Sequence, residues 1–211
     1  MKIKNSNNVS KTLRDHYSKK FTEFGPTAKG VDWGTEKNMI LTYGKMLNVI
    51  EQGVETPTIL DVGCGYGGLY LYAQEREIPL TYSGIDISEN MIEYAKINLP
   101  GGQFFCGDIF DFESDVHFDY VVCNGILTQK LSTSIRDMDI FANQLIRKMF
   151  SIALRGIAFN IMTTKVNFMV DNLYYRNPIE MLAFCLTEIT SKVRMDHAYP
   201  MYEYTTYLYK E

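Results

Sequence analysis

From Thr56 onward, short apolar runs alternate with longer amphipathic stretches, and glycine, asparagine or a carboxylate closes most of the runs. Apolar runs bounded by turn formers read as buried strands, and apolar positions three and four apart read as helices. The pattern predicts strands over residues 58–61, 80–87, 102–106, 118–123 and 156–162. Helices are predicted from residue 69, over 89–99 with Ser88 as its cap, and over 132–154. Alternating strand and helix is the signature of a parallel sheet with helical crossovers.

Both ends of the chain break that rhythm. Leu13, Tyr17, Phe21 and Phe24 lie at helical spacing until Gly25-Pro26 stops the helix. A second helix over 36–52 shows Met39, Ile40, Tyr43, Met46, Leu47 and Ile50 on one face, and the loop between the two holds the only tryptophan, Trp33. Residues ahead of Leu13 are polar and expected to be loose. Residues 1–55 thus read as a helical segment or lid, and 56–211 as the core. Towards the other end, Asn177-Pro178 opens a helix to about residue 189. Strands over 192–195 and 204–209 follow, and their connector is too short for a helical crossover, so they pair antiparallel. A hairpin added to a parallel sheet departs from the plain dinucleotide-binding arrangement.

With 211 residues, 46% of them hydrophobic and 22% charged, the chain can bury one sizeable core and a small lid. The net charge of −4 argues against a broad nucleic-acid surface. Lys11, Arg14, Lys19, Lys20 and Lys29 make the first helical segment locally basic, as a solvated face or as a surface for an anionic substrate. No apolar run reaches the length of a membrane span, and the basic start lacks the apolar core of a signal peptide, so a cytoplasmic protein is expected. Cys64, Cys106, Cys123 and Cys185 are far apart, without a Cys-x-x-Cys pair. They are expected to be small, buried, reduced thiols, with no metal site.

The chemistry concentrates at Asp61-Val62-Gly63-Cys64-Gly65-Tyr66-Gly67-Gly68, where the first strand turns into a helix. Glycine is needed where the chain reverses tightly and where a ligand touches bare backbone. Gly63, Gly65 and Gly68 fit the dinucleotide fingerprint, with a pyrophosphate on the helix N-terminus. Gly63, Gly65 and Gly67 behind Asp61 fit a loop for S-adenosylmethionine, which carries no phosphate. A carboxylate at the mouth of the strand repels a pyrophosphate and attracts an ammonium or sulfonium.

Four stretches in order resemble the class I S-adenosylmethionine-dependent methyltransferases: the Asp61–Gly67 loop, Gly84-Ile85-Asp86-Ile87-Ser88, Gly107-Asp108-Ile109, and Phe118-Asp119-Tyr120-Val121-Val122. The resemblance implies a Rossmann-like α/β fold: a seven-stranded, mostly parallel sheet with an antiparallel last strand and helices on both faces. The N-terminal helical segment serves as a lid. Stretches 27–33 and 196–203 are similar to those of small methyltransferases from bacterial surface-polysaccharide (capsular) pathways. The expected activity is methyl transfer to a small molecule, most simply to an oxygen of a sugar or anionic precursor. Rivals are an NAD-dependent oxidoreductase using Gly63, Gly65 and Gly68, and a non-catalytic binding module. Amino-methylation of nucleic acid is disfavoured, because Asn124-Gly125-Ile126-Leu127 stands where that class carries Asn/Asp-Pro-Pro-Tyr/Phe.

The resemblance carries roles onto residues. Asp61, Gly63, Cys64, Gly65 and Gly67 form the cofactor loop. Asp86, about 20 residues beyond it, holds the ribose hydroxyls. Asp108 and the Ile109 backbone meet the adenine, Ile87 and Met91 sandwich it, and Asn124 and Gly125 face the methionine end. The parallel sixth strand exits on the cofactor side, so His197, oriented by Asp196 or Glu203, is the candidate base. His16 and His117 have polar neighbours and no such placement. Tyr17, Lys29, Trp33, Tyr174, Tyr175, Tyr199 and Tyr202 are candidates for an acceptor pocket suited to a polar, hydroxyl-bearing or anionic molecule.

Overall fold

The computed structural model describes residues 4–112 and 116–211, with side chains from Asn8 onward. Residues 1–3, part of the stretch expected to be loose, lie outside the described residues.

The sheet is built from β1 (Thr58–Val62), β2 (Thr81–Asp86), β3 (Gln103–Cys106), β4 (Phe118–Cys123), β5 (Ala153–Thr163), β6 (Tyr175–Arg176), β7 (Val193–Asp196) and β8 (Glu203–Tyr209). The spatial order is β3-β2-β1-β4-β5-β8-β7, and β6 adds a short parallel pairing to β5. β8 runs antiparallel to both β5 and β7, so the expected hairpin is present. The sheet has eight strands rather than seven because two-residue β6 pairs with Met162 and Thr163. So short a strand leaves no periodicity to read in the sequence.

Side-chain alternation feeds two cores. Ile59, Tyr120, Val122 and Ala158 face α2 (Glu36–Leu47), α3 (Gly68–Glu75) and α4 (Glu89–Asn98). Leu60, Val121, Ile157 and Phe159 face the other way, towards α1 (Lys4–Phe24), α5 (Ile135–Ile152) and α6 (Pro178–Glu188). α5 presents Met138, Phe141, Leu145, Ile146 and Met149 on one stripe, each buried side chain of this size contributing roughly 1.5–3 kcal/mol. Polar side chains start three of the helices: Thr35 accepts from the Asn38 amide, Ser134 from Asp137, and Asn177 from Ile179.

Several boundaries differ from the sequence expectation. α1 begins at Lys4 rather than near Leu13, because Val9, 1% exposed, extends the apolar stripe into the core by one more turn. α2 stops at Leu47, where residues 48–50 turn so that Val49 is buried. α5 gives way directly to β5 at Ala153, whose backbone is already extended. Ser88 occupies the cap position of α4 without capping it. Its hydroxyl bonds Ser18 Oγ of α1 at 2.9 Å instead, tying the first helix to the sheet's edge layer.

Candidate functional site

A cavity of about 460 Å³ opens beyond the carboxyl ends of β1, β2 and β4, under α1 and the loop around Trp33. Crevices at this end of a parallel sheet are where such folds bind ligands. The loop after β1 forms its floor. Gly63 has φ +73, and a Cβ there would run into the Ile126 side chain, so only glycine fits. Its amide and that of Cys64 donate to Ile85 O, at 2.8 and 3.2 Å.

Asp86 closes the loop from the side. Its Oδ2 accepts from the Gly65 amide at 2.9 Å and its Oδ1 from the Ser88 amide at 2.8 Å. Burial pushes this carboxyl upward, and the amide donors draw it part of the way back. Asp108 also lines the cavity and accepts from the Phe110 amide at 3.0 Å. Ile87, Met91 and Ile109 complete this part of the wall.

Asp61 ends up buried, accepting from Tyr82 OH at 2.7 Å through Oδ2 while Oδ1 has no partner. Burial pushes its carboxyl up to about 7, against the pull of the Tyr82 bond, and Asp86 adds to the push. Asn124 donates to Thr42 Oγ1 at 3.1 Å, and its own Oδ1 is likewise unpartnered. Glu203 shares the pattern: Oε2 accepts from Asn160 Nδ2 at 3.0 Å and Oε1 is unpartnered. Gly125 donates its amide to Asn160 Oδ1 at 2.8 Å. Three buried oxygens on one wall therefore lack donors.

A methyltransferase-domain family profile matches residues 55–205. The chain belongs to that family. It is a class I, S-adenosylmethionine-dependent methyltransferase with the Rossmann-like fold. A protein of Mycobacterium tuberculosis named as a methyltransferase is 30% identical over 153 residues, spanning 70% of this chain and 90% of that one. Malonyl-[acyl-carrier protein] O-methyltransferase of Acetivibrio thermocellus is 33% identical over 116 residues, 54% of this chain and 38% of that one. Among solved structures, magnesium protoporphyrin IX methyltransferase from Synechocystis, with bound S-adenosylhomocysteine, aligns with a TM-score of 0.63 at 15% identity, covering 98% of this chain and 100% of that one. The plantazolicin methyltransferase BpumL, solved with a pentazolic desmethylPZN analog and S-adenosylhomocysteine, aligns with a TM-score of 0.59 at 15% identity, covering 97% of this chain and 99% of that one.

The methyltransferase cavity gathers most, not all, of the residues expected at the cofactor. Gly67 stays outside the wall. It caps α3 at φ +88, and its missing Cβ makes room for Leu99 and Phe104. Cys64 lines the cavity as a buried thiol that burial pushes well up. Cys123 and Cys185 are also buried, but Cys106 is exposed, because its strand lies at the open edge of the sheet.

On the acceptor side, Tyr17, Trp33 and Tyr202 line the cavity. The other four candidates are used elsewhere. Lys29 is exposed on a single 3₁₀ turn. Tyr174 OH donates to Asp139 Oδ1 at 2.5 Å, Tyr175 OH accepts from the Val170 amide, and Tyr199 OH pairs with Thr205 Oγ1 at 2.9 Å. A buried tyrosine hydroxyl needs such a partner.

The expected His197 dyad does not assemble. His197 is exposed, lies off the cavity wall, and sets its ring edge-on to Tyr204 at 5.8 Å. Asp196 instead pairs with Lys45 at 2.7 Å, which holds its carboxyl below the ordinary value despite partial burial. Glu203 alone of the three reaches the cavity.

Two features escaped the sequence reading. Asn160 is a polar residue inside the apolar run of β5, a placement that signals a required hydrogen bond. Asp32 stands in the left-handed region at φ 60 and collects His16 Nε2 at 2.8 Å, Lys20 Nζ at 2.9 Å and Gln129 Nε2 at 3.2 Å. His16 thus stays off the cavity wall but pairs with Asp32, which lines it.

Proposed function

We propose that the cavity holds S-adenosylmethionine across the ends of β1, β2 and β4, and that the chain transfers its methyl group to a hydroxyl oxygen of a small, uncharged acceptor. The unpartnered Asp61 Oδ1, Asn124 Oδ1 and Glu203 Oε1 carry this reading. Each unpaired buried oxygen costs about 1–3 kcal/mol, so a ligand that donates to them accounts for their presence. An ammonium group beside Asp61 and Asn124 fits, with Asp86 on the ribose, Asp108 and Ile109 on the adenine edge, and Ile87 and Met91 on its faces. A pyrophosphate fits poorly among Asp61, Asp86 and Asp108.

When bound, the donor supplies a methyl group already activated by positive sulfur. What the protein adds is placement and exclusion of water. Residues 1–55 act as the lid: Ser10, Leu13, Arg14 and Tyr17 of α1 form part of the wall, and α1 is tied down through Asp32.

For the acceptor, wall composition is the guide. Leu13, Phe141, Leu145 and Leu173 give it apolar surface, and Arg14 is its one basic residue among the described residues. Arg14 is already engaged by Asp15 at 3.0 Å. An anionic precursor would meet Asp32, Asp61, Asp86, Asp108 and Glu203 on the same wall, so a neutral acceptor is favoured. An uncharged sugar hydroxyl fits this requirement, which keeps a surface-polysaccharide precursor in view, and a sugar phosphate does not. No helix among the described residues is long and apolar enough to cross a membrane, and the four cysteines are free, in keeping with a reaction in the cytoplasm.

Titration calorimetry tests the donor site: binding of S-adenosylhomocysteine without binding of NAD is expected, and the reverse result would overturn the reading. An acceptor screen with mass detection of the methylated product then identifies the substrate.

A further inference from the structure

We propose that Glu203 is the general base that takes the acceptor's proton and that Asn160 is its positioning residue, an assignment that rests on the methyl-transfer reading above. Glu203 opens β8, is 1% exposed and lies on the cavity wall. One carboxylate oxygen is fixed by Asn160; the other makes no hydrogen bond of good geometry, and the Tyr199 hydroxyl is the nearby donor to this carboxyl. Asn160, also 1% exposed, uses its remaining carboxamide atom to accept the Gly125 amide at 2.8 Å. That single side chain therefore locks the carboxylate to the loop after β4, the loop assigned to the methionine end of the donor. Rotating Asn160 breaks two buried hydrogen bonds and rotating Glu203 breaks one, so both side chains are held in place.

The surroundings suit a base. Asn160 from β5 and Tyr199 from the β7–β8 connection face Glu203, and neither is charged near neutrality. Tyr199 is bonded to Thr205, and burial pushes its phenol far up. Among the described residues no salt bridge engages Glu203. Burial pushes its carboxyl up to about 7, with Asn160 and Tyr199 drawing it partly back. Asp196, by contrast, pairs with the cation Lys45. A carboxylate left without a cation and poised near neutrality is suited to proton transfer.

The step balances. As the acceptor oxygen bonds the methyl carbon, its O–H bond breaks and the proton goes to Glu203 Oε1. The methyl–sulfur bond breaks with its electron pair remaining on sulfur. One positive and one negative charge disappear together, leaving a thioether, a carboxylic acid and a methyl ether.

The test uses the full chain, S-adenosylhomocysteine as the cavity probe, and phenols of graded acidity as acceptors. Difference infrared titration should show a protonated-carboxyl band, absent from E203Q, that is lost as pH rises through about 7. E203Q can keep the Asn160 bond through its amide oxygen, so its probe affinity should hold, and so should its melting temperature below about pH 6, where the wild-type carboxyl is protonated. With weakly acidic phenols, E203Q should lose about a hundred- to ten-thousand-fold in methyl-ether formation, with little loss on nitrophenols already ionised and partial recovery in E203D. A Glu203 carboxyl that titrates in the ordinary range overturns the assignment. So does an E203Q rate equal to wild type on every phenol turned over. Failure of the wild type to bind the probe is a separate outcome and removes the donor site itself.

Discussion

The Gly65 amide donates to Asp86 Oδ2 at 2.9 Å, so the turn after β1 is fastened to the end of β2 by a carboxylate that lines the cavity. Asp86 Oδ1 holds the Ser88 amide in the same way. Each oxygen of an ionised carboxyl can accept more than one bond, which leaves capacity for the hydroxyls of a ribose.

Asp86→Ala is expected to weaken S-adenosylhomocysteine binding by about 1–3 kcal/mol, the range for one or two charge-assisted hydrogen bonds. Asp86→Asn retains an acceptor for one amide and should lose less. Calorimetry giving wild-type affinity for Asp86→Ala would remove Asp86 from the site.

Asp61 and Glu203 rise from 3.8 and 4.5 to about 7 on folding. The native chain therefore holds more protons than the unfolded one between about pH 4 and 7. The stability these groups contribute is full below pH 4 and is lost as pH rises through 7, on the order of 4 kcal/mol for Asp61 and about 3 kcal/mol for Glu203. Without ligand, the melting temperature should fall between pH 5 and about 8 more steeply in the wild type than in an Asp61→Asn, Glu203→Gln double variant. Parallel curves for the two proteins would contradict the buried-carboxyl account.

Gly63→Ala places a side chain at φ +73 and against Ile126. The left-handed conformation alone costs roughly 1–2 kcal/mol. A drop of several degrees in melting temperature, with loss of probe binding, is the expected result; a variant that melts and binds like wild type would show the turn to be less constrained than its geometry requires.

His197→Ala should leave probe affinity and melting temperature unchanged, since the ring is exposed and off the cavity wall. A tenfold loss of affinity, roughly 1.4 kcal/mol, would return His197 to the site.

Asp32→Asn removes the charge that holds His16 and Lys20 while keeping a residue that tolerates φ 60. Faster amide exchange along α1 is expected by mass spectrometry, most clearly without ligand. Exchange identical to wild type would mean that α1 is held by its apolar stripe alone.

Local chemistry made much of this protein legible in its sequence. Apolar alternation gave β1 to β5 and the last two strands, and Asp61, Gly63, Gly65, Asp86 and Asp108 were marked as strand-end and turn residues that line the cavity, because backbone turns and strand ends are set by neighbours in the chain. Contacts between distant segments were not legible. Asp196 meets Lys45 across 151 positions and Asn160 meets Glu203 across 43, so the sequence could name His197, Asp196 and Glu203 together but could not say which would reach the cavity. The hairpin twist and packing of β7 and β8 decide that. They turn His197 outward and bury Glu203 with one oxygen unpaired, because only the folded sheet fixes which side chains lose water and which find a partner.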